Sequence, residues 1–234
     1  MDLYPQLKKT LRNKLAIYPR IFIPAYRILA PKRKSSLLVS KDTEIVIEGF
    51  PRSGNTYAVS AFRHAQKKKI KTAHHLHVET QILEGVRLGL PVVVLIRKPL
   101  DAIQSLKIRQ PELSLDDAFR QYIRFYSITK GVLQHVVLAK FEDVIEDFGK
   151  IIERVNHKFC TRFDLFEPTS ANVDRVFREI DRINDELFDG KETYVSRPSP
   201  QRAKLKNKVP FEIPEGLAEK ANMLYERVCG ECEP

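Results

Sequence analysis

EIVIEGFPRSGNT, residues Glu44 to Thr56, decides the fold. Ile45, Val46 and Ile47 form a short β-branched run with the composition of a buried strand. The run gives way at Gly49 to a loop closed by Gly54 and followed by the hydroxyl residue Thr56. That spacing belongs to a phosphate cradle, G-x-x-x-x-G-K-[ST], in which backbone N–H groups at a helix N-terminus wrap an anion. Asn55 stands where the motif carries the lysine that reaches the terminal phosphoryl groups of a nucleoside triphosphate. Arg52 supplies a cation inside the loop instead, a planar donor suited to a bridging oxygen or a leaving group. The exchange points away from ATP and toward a different group transfer.

A second stretch, VVVLIRKPLDAIQS from Val92 to Ser105, repeats the design. Its β-branched residues read as a buried parallel strand, and a proline turn leads from it into a helix. Arg97 at the strand end and Ser105 in the first turns of that helix can converge on one phosphate, helped by the helix N-terminus. A third unit, His135 to Asn156, reads as a strand followed by a helix, with Val144, Phe148, Ile151, Ile152 and Val155 at helical spacing.

From Glu44 to about Asn156 the chain resembles the PAPS-dependent sulfotransferase family. That family's loop, roughly G-x-P-[KR]-S-G-[TN]-[TS], is matched by GFPRSGNT. Its R-x-P-x-D-x-x-x-S motif is matched by Arg97, Pro99, Asp101 and Ser105. Its aromatic-E-D-aliphatic junction is matched by Phe141, Glu142, Asp143 and Val144, with Phe141 where many members place a tyrosine near the adenine. The resemblance implies a P-loop NTPase-like sulfotransferase fold. It also implies sulfuryl transfer from PAPS, with PAP as product, to a hydroxyl or amine acceptor. Pro51, Arg52, Ser53, Gly54, Asn55 and Thr56 become the donor loop, and Arg97 and Ser105 the 3'-phosphate contacts. The loop from Ser196 to Lys208 becomes a basic cover over the donor, with Arg197, Arg202 and Lys204 as its cations. Arg52 also counts among the catalytic residues, because it neutralises charge during transfer.

Deprotonating an acceptor calls for a base that titrates near neutral pH, and histidine is the default. KTAHHLHVETQ, Lys71 to Gln81, carries three histidines in four residues. Aligning His75 and Leu76 with the family's K-T-H-L nominates His75 as the base. On an extended chain His75 and His77 share a face and His74 points away, which makes His77 the reserve, with Glu79 further along the same face. A histidine cluster can also bind metal, but sulfuryl transfer does not demand one, since cations and helix dipoles neutralise the leaving group.

Strands near Ile45, Lys71, Val92 and Val136 alternate with helices, which implies a three-layer α/β architecture with a parallel sheet covered on both faces. Ser114 with Asp117 opens one helix through Tyr126, and another is expected from Asn172 to Leu187. The 234 residues, 43% hydrophobic, suit one such domain, taken here as residues 42–234.

The net charge of +10 is concentrated ahead of it: residues 1–41 hold ten Lys or Arg against Asp2 alone, leaving thirty against twenty-nine. A nearly neutral remainder argues against a nucleic-acid partner. Leu3, Leu7, Leu11 and Leu15 beside Lys8, Lys9, Arg12 and Lys14 draw a basic amphipathic helix. Residues 1–30 are therefore a candidate for peripheral contact with a membrane, because the chain lacks a run of roughly 20 apolar residues.

The missing signal-type apolar core and the cysteine count lead to an expectation of a cytoplasmic protein, peripheral on the inner membrane surface where it docks. Cys160, Cys229 and Cys232 set up no disulfide framework, and Cys229 with Cys232 reads as an incidental tail pair. A carbohydrate, a lipid headgroup or a phenol would all fit as acceptor. A nucleotide kinase or NTPase with the same loop, or a non-catalytic nucleotide-binding or membrane-associated module, are the competing readings.

Overall fold

The structure, a computed structural model, describes residues 12, 15–195, 197, 204–205 and 213–231. Four strands form its sheet: β1 (Ile45–Gly49), β2 (Thr72–His74), β3 (Val92–Ile96) and β4 (Val137–Lys140). They lie in the order β2-β1-β3-β4 and every pair is parallel. The described helices are α1 (Pro19–Leu29), α2 (Lys32–Ser35), α3 (Asn55–Ala65), α4 (Glu79–Arg87), α5 (Pro99–Arg109), α6 (Leu115–Lys130), α7 (Phe141–Glu146), α8 (Phe148–Phe159), α9 (Ser170–Phe188) and α10 (Glu215–Gly230).

The sheet is buried on both faces, so its two central strands are largely apolar and alternate residues feed two separate cores. Val46, Val92, Val94, Ile96 and Leu138 point into a layer built on α1, α4, α5, α6 and α10. Ile45, Ile47, Val93, Leu95, Val137 and Ala139 point into the opposite layer, on α3, α7, α8 and α9. This is the three-layer arrangement the sequence predicts. Each expected strand is present within a residue or two. The expected cap is too: Ser114 Oγ accepts from the Asp117 N–H at 3.1 Å.

Part of the basic N-terminal segment is built into the first layer. Ala16, Phe22, Ile23, Leu38 and Val39 are core residues, and the Ala16 carbonyl accepts from the Thr80 N–H (2.9 Å) and hydroxyl (2.6 Å). Leu15 packs against the same core. The proposed helix over Leu3, Leu7 and Leu11 lies outside the described residues. At the other end, Cys229 is buried in α10 against Tyr122 and Tyr225 rather than belonging to a frayed tail; Cys232 lies outside the described residues.

Gly49 pairs with Leu95 of β3, and a Cβ there would lie 2.5 Å from the Leu95 carbonyl oxygen. Backbone cannot yield as a side chain can, so Gly49→Ala is expected to cost about 1–3 kcal/mol in chemical denaturation. Gly216, near the start of α10, has open space around it. Gly216→Ala should gain about 0.5 kcal/mol instead. Equal effects at the two sites would refute the close-approach argument.

Candidate functional site

Strand order reverses between β1 and β3, because the chain leaves β1 toward β2 on one side and returns to β3 on the other. Ligands of open parallel sheets bind in the crevice at the carboxyl ends of such a pair. The loop Phe50–Gly54 leaves β1 there, and Arg97 follows β3 there.

Backbone geometry turns this loop into a cradle. Gly54, at φ +91°, caps the N-terminus of α3, and Arg52 is held left-handed at φ +71°, an uncommon conformation for a side-chain-bearing residue. Asn55 Nδ2 donates to the Phe50 carbonyl at 3.1 Å, bracing the loop across its mouth where a nucleotide-hydrolysing loop would extend a lysine. Asn55 Oδ1 is buried with no hydrogen-bond partner among the described residues. Ser53 is fully buried, with its Oγ 3.4 Å from the Tyr126 hydroxyl and its backbone N–H donated to the Phe50 carbonyl at 3.2 Å, so it closes the loop from within.

The two stretches singled out in the sequence meet. Arg52 Nε donates to Ser105 Oγ at 2.9 Å, and its second terminal nitrogen donates to the Val195 carbonyl at 2.8 Å. Arg97 donates to the Arg52 carbonyl at 3.2 Å and lies 4.0 Å over the Phe141 ring. Burial draws the Arg97 pKa below its usual value, partly offset by Asp101 and Glu142. Tyr122 and Tyr126, from α6, fix the end of β3 by donating to the carbonyls of Arg97 (2.7 Å) and Leu95 (2.8 Å). Arg202 lies outside the described residues. Arg197 is engaged in a two-pronged ion pair with Asp181 (2.8 and 2.9 Å).

The histidines depart from the extended arrangement expected of them. β2 ends at His74, and His75 (φ +57°) and His77 (φ +53°) are both left-handed, so alternation does not apply. His74 and His75 instead form a relay whose proton positions follow from donor logic. Arg63 can only donate, so His74 Nε2 accepts from it (2.6 Å). His74 therefore carries its proton on Nδ1 and donates to His75 Nδ1 (2.6 Å), and His75 donates from Nε2 to Thr56 Oγ1 (3.2 Å). Both nitrogens of His75 are thus committed. Burial, reinforced by neighbouring cations, pushes His75 well below its ordinary pKa and His74 down to about 3.

His77 is placed differently. Its Nδ1 donates to the Gly49 carbonyl at 2.9 Å and lies 3.4 Å from Oε1 of Glu48, while no described residue bonds its Nε2. Glu48, fully buried at the end of β1, receives the N–H groups of Gly49 (3.1 Å) and Leu76 (3.0 Å). Sequence reasoning passed over Glu48, since one acid at the end of an apolar strand carries no motif. Glu79 is buried and paired with Arg124 at 2.8 Å. Sequence reasoning also missed Arg109, whose guanidinium stacks on Phe188 and Tyr194 (5.0 and 4.8 Å). Among the described residues no group of three His, Cys, Asp or Glu is disposed to hold a metal ion.

No protein-family profile matches the chain, and no curated protein does. Among solved structures it is similar to a mouse sulfotransferase complexed with PAP, at 12% identity and a TM-score of 0.48, over 84% of this chain and 89% of that one.

His74 remains neutral when folded but titrates at about 6.5 when unfolded. The unfolded state therefore binds the extra proton between about pH 3 and 6.5, and stability falls as pH drops through that window. Across pH 6 to 4.5 the unfolding free energy of the wild type should fall more steeply than that of His74→Gln, by about 1.4 kcal/mol per pH unit. Parallel profiles would show that His74 is not held neutral.

Proposed function

We propose that the chain is a PAPS-dependent sulfotransferase that acts on a hydroxyl acceptor. The observation that carries this reading is the Arg52–Ser105 hydrogen bond, which joins the glycine-bounded loop to the strand-end motif across 53 residues of sequence. That contact supports reading as one site the two matches that separately resemble one family's donor site. Asn55 in place of the lysine argues against ATP as the donor. PAPS supplies the sulfuryl group, already activated by its attachment to phosphate.

The residues fit such a donor by chemistry and position. The N-terminus of α3, capped by Gly54, lies beyond the carboxyl end of β1 and offers N–H groups to an anion, and Arg52 can neutralise charge on a departing phosphate. Arg97, anchored through the Arg52 carbonyl and stacked on Phe141, and Ser105 on α5 serve a second phosphate.

His77 is the base in this reading. Gly49 holds its Nδ1 proton, leaving the Nε2 lone pair to take the acceptor's proton, and Glu48 beside Nδ1 stabilises the imidazolium that results. Arg63, His74, His75 and Thr56 then form a neutral support that shapes the loop, with His75 positioning rather than accepting protons.

Calorimetric titration with PAP, and with ATP plus Mg²⁺ for comparison, tests the assignment. Micromolar PAP binding without comparable ATP binding is expected, and a preference for ATP would return the loop to the kinase class. Arg97→Ala should weaken PAP binding by about 2 kcal/mol, the scale of a charged hydrogen bond. Unchanged affinity would remove Arg97 from the donor site. His77→Ala should leave PAP affinity intact while PAP release from PAPS, assayed against phenol, sugar and lipid-headgroup alcohols, falls by about 10² to 10⁴-fold. Glu48→Gln should slow release in the same direction. A full-speed His77→Ala with a slowed His75→Ala would transfer the role back to His75.

A further inference from the structure

α1 presents a second amphipathic division on top of the one that anchors it. Phe22, Ile23 and Tyr26 face the core, whereas Ile21, Ala25 and Ile28 recur at helical spacing on another side, continued by Tyr18 before the helix and Leu29 at its end. Ile28 and Leu29 are 81% and 82% exposed, and Tyr18 and Ile21 are 54% and 53% exposed. Single exposed apolar residues are ordinary on a protein surface, but three large aliphatics on one short helix, extended by the tyrosine before it, are not. Cations surround it. Arg20 and Arg27 occupy the adjoining side of α1, and Lys32, Arg33 and Lys34 are exposed on α2 immediately after. No acid occurs between Asp2 and Asp42.

We infer that α1 and α2 form a docking surface for an anionic lipid bilayer. An interfacial helix needs an apolar stripe to enter the acyl boundary and a cationic border to meet anionic headgroups, and this segment supplies both. Charge complementarity selects the occupant. Five cations without an acid disfavour a second copy of the same face, and the exposed isoleucines and leucine have no use against nucleic-acid phosphates. No described helix is long and apolar enough to cross a membrane, which leaves docking in the plane of the surface. The core face of α1 stays packed on the protein throughout, and the Ala16–Thr80 bonds tie it to the segment that carries His75 and His77. The docked helix begins three residues after that anchor and runs for roughly 17 Å.

This inference stands apart from the assignment of the chemistry, and its test keeps the two separate. The full chain is sedimented with vesicles of phosphatidylcholine alone and with vesicles containing about one-third phosphatidylglycerol. Binding should favour the anionic vesicles at least about tenfold, and weaken as salt rises from about 0.1 M to 0.5 M. The double variant Ile28→Asp/Leu29→Asp should lose at least about tenfold in vesicle affinity, and Lys32→Glu/Lys34→Glu should lose the anionic preference. Both variants change exposed side chains, and their PAP affinity and circular dichroism should match the wild type. Equal binding to both vesicle types, no binding by the folded wild type, or full binding by the aspartate variant would overturn the inference. So would a wild-type dimer in sedimentation velocity that the aspartate variant dissociates, since a second copy would then be what covers the stripe. Absence of PAP binding would count against the sulfotransferase reading alone.

Discussion

Everything at the crevice depends on how closely the backbones of β1 and β3 approach at Gly49 and Leu95. With no side chain between them, the two central strands end side by side, and the loop after one lies against the arginine after the other. A bulkier residue would separate the ends and with them Arg52 from Ser105. The tyrosines of α6 complete the constraint, spending their hydroxyls on the Leu95 and Arg97 carbonyls at the point where β3 stops pairing. A buried phenol must find an acceptor, and burial raises both hydroxyl pKa values, so these groups act as fixed donors.

Electrostatics divides the site into two regions with different tasks. Around Arg52 and Arg97 the guanidinium of Arg97 is partly desolvated, and a partly desolvated guanidinium gains most from an anion. Around the histidines, charge is suppressed by burial and by neighbouring cations, and the His74–His75 pair remains neutral. Glu48 lies within that region, held by two backbone N–H groups and placed against His77, whose Nε2 no described residue bonds.

Much of this was legible in the sequence, for identifiable reasons. The β-branched runs at Ile45 and Val92 are short, glycine- or proline-bounded and uninterrupted by polar residues, which only buried parallel strands explain well. Loop spacing fixed where the cradle begins and ends because backbone N–H groups, not side chains, build it. The histidine face was misjudged because the period-two rule holds only while φ remains extended, and both His75 and His77 turn left-handed beyond β2. Glu48 and Arg63 acquire their roles from partners 28 and 11 residues away in the sequence, a pairing that local pattern does not encode.

The bond from Asn55 across the loop to Phe50 has a thermodynamic consequence of its own. A loop that waits for its ligand before ordering loses conformational entropy at the moment of binding, and affinity is reduced by that amount. Here the brace is intramolecular, so that entropy has already been lost during folding. The loop is preorganised, so under the proposed reading an arriving anion would meet N–H groups whose directions are set in advance.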